Sequence, residues 1–151
     1  MGTARRTFLW SFSILSFGIC QAAMAQNEPF KPGQIWTYHG ATPASSRVII
    51  GVVDNLEGES QPIVSISVTD APIPNDGKQL QTVPHLPMAA NVLKESVVEL
   101  EGTGPIPAGF DHGYSLWRQA YDGGKGGYFT ISVEEIVGIL RTQLGQQPAV
   151  K

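Results

Sequence analysis

The stretch Ile63-Val64-Ser65-Ile66-Ser67-Val68-Thr69 decides the fold class. Successive side chains of a strand alternate between its two faces, so Val64, Ile66 and Val68 share one side while Ser65 and Ser67 take the other. A period of two with this composition belongs to a sheet with one dry face. Upstream, residues 47–53 are again rich in β-branched side chains. The polar, turn-prone connection 54–62 joins the two segments as an antiparallel hairpin with an ample loop. Earlier still, Gln34-Ile35-Trp36-Thr37-Tyr38-His39 alternates, with Trp36 and Tyr38 opposite Ile35, and Pro32-Gly33 turns the chain into it.

Downstream the pattern breaks and then changes period. Residues 70–87 carry Pro72, Pro74, Asn75-Asp76-Gly77, Pro84 and Pro87. Prolines remove backbone donors and restrict the residue before them, which predicts an interrupted segment with room for one short strand near 80–83. In a small domain a loop of this length covers or builds something. Residues 88–100 place Ala89, Val92, Leu93, Val97 and Leu100 at helical spacing, and the glycines and prolines of 102–107 stop that helix. A second helix is expected from 109 or 111 to 121, with Tyr114, Trp117 and Tyr121 along one side. The glycines of 122–127 end it and turn the chain into a strand over 128–131.

Ser132-Val133-Glu134-Glu135 then has the spacing of a capping box, flanked by Ile131 and Ile136 as a hydrophobic staple. Val133, Ile136, Val137 and Leu140 form the buried stripe of a terminal helix. These elements predict an α+β domain, a small antiparallel sheet of three to five strands packed against two or three helices on one side. A flattened barrel is the alternative.

The first 25 residues read as a cleaved export leader. Arg5 and Arg6 form its basic end, and Phe8 to Cys20 is apolar or hydroxylic but shorter than the roughly 20 residues that span a bilayer. Ala23-Met24-Ala25 offers the small residues at which a signal peptidase cuts, leaving Gln26 as the new start. Arg5-Arg6-Thr7-Phe8-Leu9 also resembles a twin-arginine signal, although adjacent arginines occur in ordinary signals and the general secretory route is the expectation. Cys20 follows the bulky Ile19 rather than a small residue, so it is discarded with the leader and not lipidated.

Cleavage would leave residues 26–151 as a single domain with no cysteine, and so with neither disulfide nor thiolate chemistry. It would also remove two of the chain's ten basic residues and none of its thirteen acidic ones, giving a formal charge of −5. Lys31, Arg47, Lys78, Lys94, Arg118, Lys125, Arg141 and Lys151 are scattered, whereas nucleic-acid binders cluster their basic residues to neutralise phosphates. A nucleic-acid partner is not expected, nor is a stable transmembrane anchor in the mature chain.

Chemistry-bearing residues are few. His39, His85 and His112 have no partner histidine at short spacing, and Asp111 beside His112 diverges from it by about 100° on a helix. No metal site and no cofactor are expected. His85, held in Pro84-His85-Leu86-Pro87, is restrained enough for catalysis or recognition and equally suited to bracing a loop, which is the favoured role. Asp111 with His85 or His112 is the conceivable acid–base pair. No Gly-x-Ser-x-Gly elbow and no phosphate-binding glycine pattern is present. Trp36, Tyr38, Tyr114, Trp117, Arg118 and Tyr121, with His85, are the candidate binding residues, because aromatic side chains bury much area while keeping a polar handle. Of these, Tyr38 and Tyr121 are the ones expected at the surface.

The combination Pro32-Gly33-Gln34-Ile35-Trp36-Thr37-Tyr38, His85-Leu86-Pro87 and Gly113-Tyr114 with Trp117 resembles a family of small exported bacterial proteins without an assigned activity. That resemblance implies a Gram-negative, periplasmic protein and supplies no catalytic residue. The expected role is a binding or accessory module acting on a protein or an envelope component. Two alternatives are a small hydrolase using His85 and Asp111, and an immunity or inhibitor protein against a secreted enzyme.

Overall fold

The computed structural model describes residues 29–74 and 80–145, so the leader expected over residues 1–25 lies outside the described residues. Five strands, β1 (Gln34–Tyr38), β2 (Arg47–Asp54), β3 (Ile63–Ala71), β4 (Gln81–Ala89) and β5 (Val97–Thr103), form one antiparallel sheet in the order β4-β3-β2-β1-β5. Three helices pack against it: α1 (Ala90–Ser96), α2 (Phe110–Asp122) and α3 (Val133–Gly145). The α+β reading of the sequence is what the chain adopts.

β3 is central to the packing. Val64, Ile66 and Val68 are fully buried, opposite Val53, Ile50 and Val48 of β2. With Met88, Leu93, Val133 and Ile136 they form the core beneath α1 and α3. Ser65 and Ser67 are fully buried as well, so both faces of β3 are dry. The helices are therefore not confined to one side of the sheet, as the alternation had predicted, because α2 covers the serine face.

Two other expectations are corrected. The breaker-rich segment was expected to hold only a short strand, yet β4 is nine residues long and runs through Pro84 and Pro87. It lies at the end of the ladder, and an outer strand tolerates a missing donor on the side away from its neighbour. The helix expected over 88–100 shrinks to the seven residues of α1. Met88 and Ala89 pair with Val64 and Ile63, while Val97 and Leu100 pair with Tyr38 and Trp36 of β1. Those strand pairings take both ends of the amphipathic segment.

α1 carries the chain from one outer strand to the other. Four interstrand gaps span about 19 Å in a flat sheet, whereas a seven-residue helix is only about 10 Å long. The sheet must therefore be strongly coiled for α1 to touch β3, β4 and β5 together. Register shifts in β1–β5, β2–β3 and β3–β4 supply the local bends.

The strand expected over 128–131 is reduced to one parallel bridge between Phe129 and Met88. The Phe129 N–H donates to the Pro87 carbonyl at 2.8 Å, and the Ala89 N–H donates to the Phe129 carbonyl at 3.0 Å. The capping box forms: the Glu135 amide donates to Ser132 Oγ at 3.2 Å and the Ser132 amide to Glu135 Oε2 at 2.9 Å. Ile131 and Ile136 both pack on the same core. Ser132→Ala is expected to cost about 1 kcal/mol of stability, measured by urea denaturation at pH 7.

Candidate functional site

The richest concentration of polar and aromatic side chains lies where α2 meets the serine face of the sheet. Phe110, Tyr114, Trp117 and Tyr121 recur at helical spacing along α2 and form a continuous series of ring contacts, with centroids 5.9, 5.8 and 5.4 Å apart in turn. Two close approaches seat this row. Gly51 of β2 has no Cβ, and one added there would overlap the Phe110 ring. Gly113 of α2 lies against the Cβ of His85, where a side chain of its own would clash at 2.6 Å.

His85 projects from β4 into the middle of the row. Its ring centroid is 5.5 Å from Phe110, 6.0 Å from Tyr114 and 5.7 Å from Trp117. Its Nε2 is hydrogen-bonded to the buried Ser65 Oγ at 3.0 Å. Burial among rings disfavours the imidazolium and brings the pKa down to about 4. His85 is accordingly neutral at pH 7. Its neighbour Ser67 Oγ donates to the Pro84 carbonyl at 2.7 Å, which ties β3 to β4 on the same face.

Asp54 at the end of β2 and Glu59 in the β2–β3 connection bind the side of α2 that carries Tyr114, Arg118 and Tyr121. Asp54 accepts from the Tyr114 hydroxyl at 3.1 Å and from Arg118 Nη1 at 3.3 Å. Arg118 also pairs with Asp122 at 3.0 Å. Glu59 accepts from the hydroxyls of Tyr121 and Tyr128. These donated bonds favour the carboxylate and hold Glu59 below its ordinary range, while the Tyr121 phenol is pushed up to about 12. The Trp117 indole N–H donates to the Gly127 carbonyl at 2.8 Å.

The candidate residues thus separate into groups. His85, Tyr114, Trp117, Arg118 and Tyr121 are brought together, all half-buried. Trp36 lies on the opposite face, edge-on to Phe30 at 5.9 Å. Tyr38, expected at the surface, is only 5% exposed and hydrogen-bonds Ser46 at 2.8 Å. Asp111 and His112 are exposed on the outer side of α2, while their neighbours Phe110 and Gly113 face His85. Among the described residues no carboxylate hydrogen-bonds His85, and no group of three His, Cys, Asp or Glu is placed to hold a metal ion.

Sequence reasoning missed Asp54, Glu59 and Ser65 as partners in this cluster. A legible signal was present: four aromatic residues at helical spacing on α2 require a surface to cover, and the small serine side of β3 offers one.

Chemically, the arrangement braces α2 against the serine face of the sheet. Neither His85 nor Ser65 lines the cleft across α3, the cleft beside Glu59 or the one along Ile139. A buried serine bonded to a neutral histidine satisfies two polar groups that burial would otherwise leave costly. No family model matches the chain, and no curated protein or solved structure matches it. The class defined by fold and site is an α+β domain with a five-stranded antiparallel sheet, helices on both faces and an aromatic brace under α2. No helix among the described residues is long and apolar enough to cross a membrane.

Proposed function

We propose that the chain is an exported periplasmic binding module, its leader removed after Ala25, that takes an extended segment of a partner protein along the outer edge of β5. The observation that carries this reading is the difference between the two ends of the sheet. The outer side of β4 is capped at one end, where the Phe129 segment bonds Pro87 and Ala89, and interrupted by Pro84 and Pro87 elsewhere. Among the described residues the outer side of β5 has no strand beside it. Val98 and Leu100 on that strand are 56% and 45% exposed.

An open strand edge offers a ladder of backbone donors and acceptors to a further strand. Proteins blunt such edges with charged residues, proline or bulges; β5 has no lysine or proline, and its charges are the glutamates Glu99 and Glu101. Glu99 and Glu101 select the occupant. A second copy pairing antiparallel through β5 would bring like charges into adjacent positions, which is destabilising. Arg47 neutralises Glu101 from within at 2.5 Å, and Glu99 and the nearby exposed Glu95 carry no such partner among the described residues. A segment alternating basic and apolar residues suits this edge. An immunity or inhibitor role is the special case in which that segment belongs to a secreted enzyme. The hydrolase reading has less support, because Asp111 is exposed on the far side of α2 while His85 faces Ser65 and the aromatic row.

Titration with a synthetic peptide alternating lysine and valine tests the reading. Binding should protect the β5 amides from hydrogen exchange, and the double variant Val98→Lys, Leu100→Lys should weaken it at least about tenfold, or 1.4 kcal/mol. Both side chains are exposed, so folding should be little affected. Unprotected β5 amides at saturating peptide would exclude the edge as the interface. A dimer of the unliganded protein, abolished by the same variant, would replace the basic segment with a second copy.

A further inference from the structure

A second site, independent of the β5 edge, lies across α3. Glu134 and Arg141 both line a cleft of about 160 Å³ whose wall also includes Tyr38, Gly40, Val137 and Gly138. Seven residues separate the two charges, which places them on one side of the helix about 10 Å apart along its axis. Among the described residues neither forms an ion pair with the other or with any third group. Opposite charges facing one concavity without a partner are a pair of sockets.

The two ends of the cleft differ in chemistry. Glu134 lies directly on the backbone of Gly40, which has φ +71°, and a Cβ at Gly40 would overlap the carboxyl group. Close by, Tyr38 lines the same cleft. Ser46 Oγ spends its only proton on the Thr69 carbonyl at 2.8 Å, so the Tyr38 hydroxyl is the donor in the Tyr38–Ser46 bond. That bond is buried and anchors the wall of the cleft. The Glu134 carboxylate gives this end a charged acceptor, and the Arg141 guanidinium gives the other end donors.

The floor between the ends adds a separate observation. Gly138 sits inside α3, and a Cβ there would meet nothing within 4 Å. Glycine in a helix interior destabilises it relative to alanine, and close packing against the rest of the fold does not account for this one. What the missing side chain does leave is open space in the cleft.

We infer that this cleft binds a small zwitterion of the ω-amino-acid class. Its ammonium group is held by Glu134, its carboxylate by Arg141, and its short aliphatic body crosses Val137 and Gly138. Opposite placement of the two sockets sets both the orientation and the length of the ligand.

The test is calorimetric titration of the purified protein with the series from glycine to 6-aminohexanoate at low salt. Saturable binding should peak at an intermediate chain length, and Glu134→Gln and Arg141→Gln should each weaken the best ligand about tenfold. Gly138→Ala should raise Tm by about 3–5 °C while weakening the same ligand, a combination that loss of folding cannot produce. Absence of saturation throughout the series overturns the proposal. So does binding that is insensitive to both charge variants, or a Gly138→Ala protein that gains stability and binds unchanged.

Discussion

Phe110→Ala is expected to destabilise the domain by about 3–5 kcal/mol, the range for deleting a buried phenylalanine. Phe110 is 2% exposed and lies over Gly51, edge-on to His85 and stacked with Tyr114. Its removal leaves a cavity where α2 meets the sheet. Gly51 offers no side chain to fill it, and the ladder on either side of Gly51 prevents collapse. A domain of this size is stable by only about 5–15 kcal/mol, so one truncation would consume a large part of the total. Equilibrium urea unfolding followed by tryptophan fluorescence measures it, with Trp117 reporting from the same row of rings. Leu116→Ala is the control: that residue is on the same helix but 56% exposed, and its truncation should stay within about 0.5 kcal/mol. If the two variants lost equal stability, α2 would not be docked on the serine face as described.

Acid should weaken the fold in a window set by His85. Its folded pKa is brought down to about 4 by burial, whereas an unfolded histidine titrates near 6.5. Above 6.5 both states are neutral and the group has no effect on stability. As pH falls below 6.5 the unfolded chain takes up a proton that the folded chain refuses, so stability declines with acid until the folded pKa is reached and then levels off. Discounted for the part of the ring that solvent reaches, the loss is about 2 kcal/mol. Glu59, Glu101 and Glu135 have pKa values lowered by their hydrogen bonds, and their contributions fade only below the ordinary carboxylate range. The two windows are separable. Denaturant midpoints should stay level from pH 7.5 to about 6.5 and then fall toward pH 4.5, and in His85→Gln, which keeps a hydrogen-bonding group toward Ser65 but cannot titrate, that fall should largely vanish. An unchanged slope in the variant would assign the acid sensitivity elsewhere.

The neutral, half-buried state of His85 also bears on function. A general base must reach a substrate, and here the imidazole instead satisfies Ser65 and separates the rings of Phe110 and Trp117. The features open to a partner lie away from it, on the β5 edge and in the cleft across α3. The two tests are independent: loss of peptide binding at Val98 and Leu100 leaves the Glu134–Arg141 cleft untouched, and the reverse holds.

Much of the fold was legible along the chain. The period-two alternation of β3, the hairpin with β2 and the Ser132–Glu135 cap depend on neighbours close in sequence, and each appears in the structure. Residues 88–100 misled because helical spacing there coexists with strand-forming valines, and pairing with β1 decided the outcome. Pro84 and Pro87 misled because a proline's effect on a strand depends on whether that strand is internal or at the edge, which the local sequence does not contain.

The linear order of residues by itself determined the α+β class, the capped terminal helix, the expectation of an exported, cysteine-free domain and the singling out of His85. Only the tertiary structure decided that both faces of β3 are covered, that Tyr38 is buried, that His85 meets Ser65 rather than Asp111, and that Glu134 and Arg141 share one cleft. The division has one physical cause. Side-chain period, caps and turns are set by contacts within a few residues. The partner of a side chain across the sheet depends on how the coiled strands bring distant segments together.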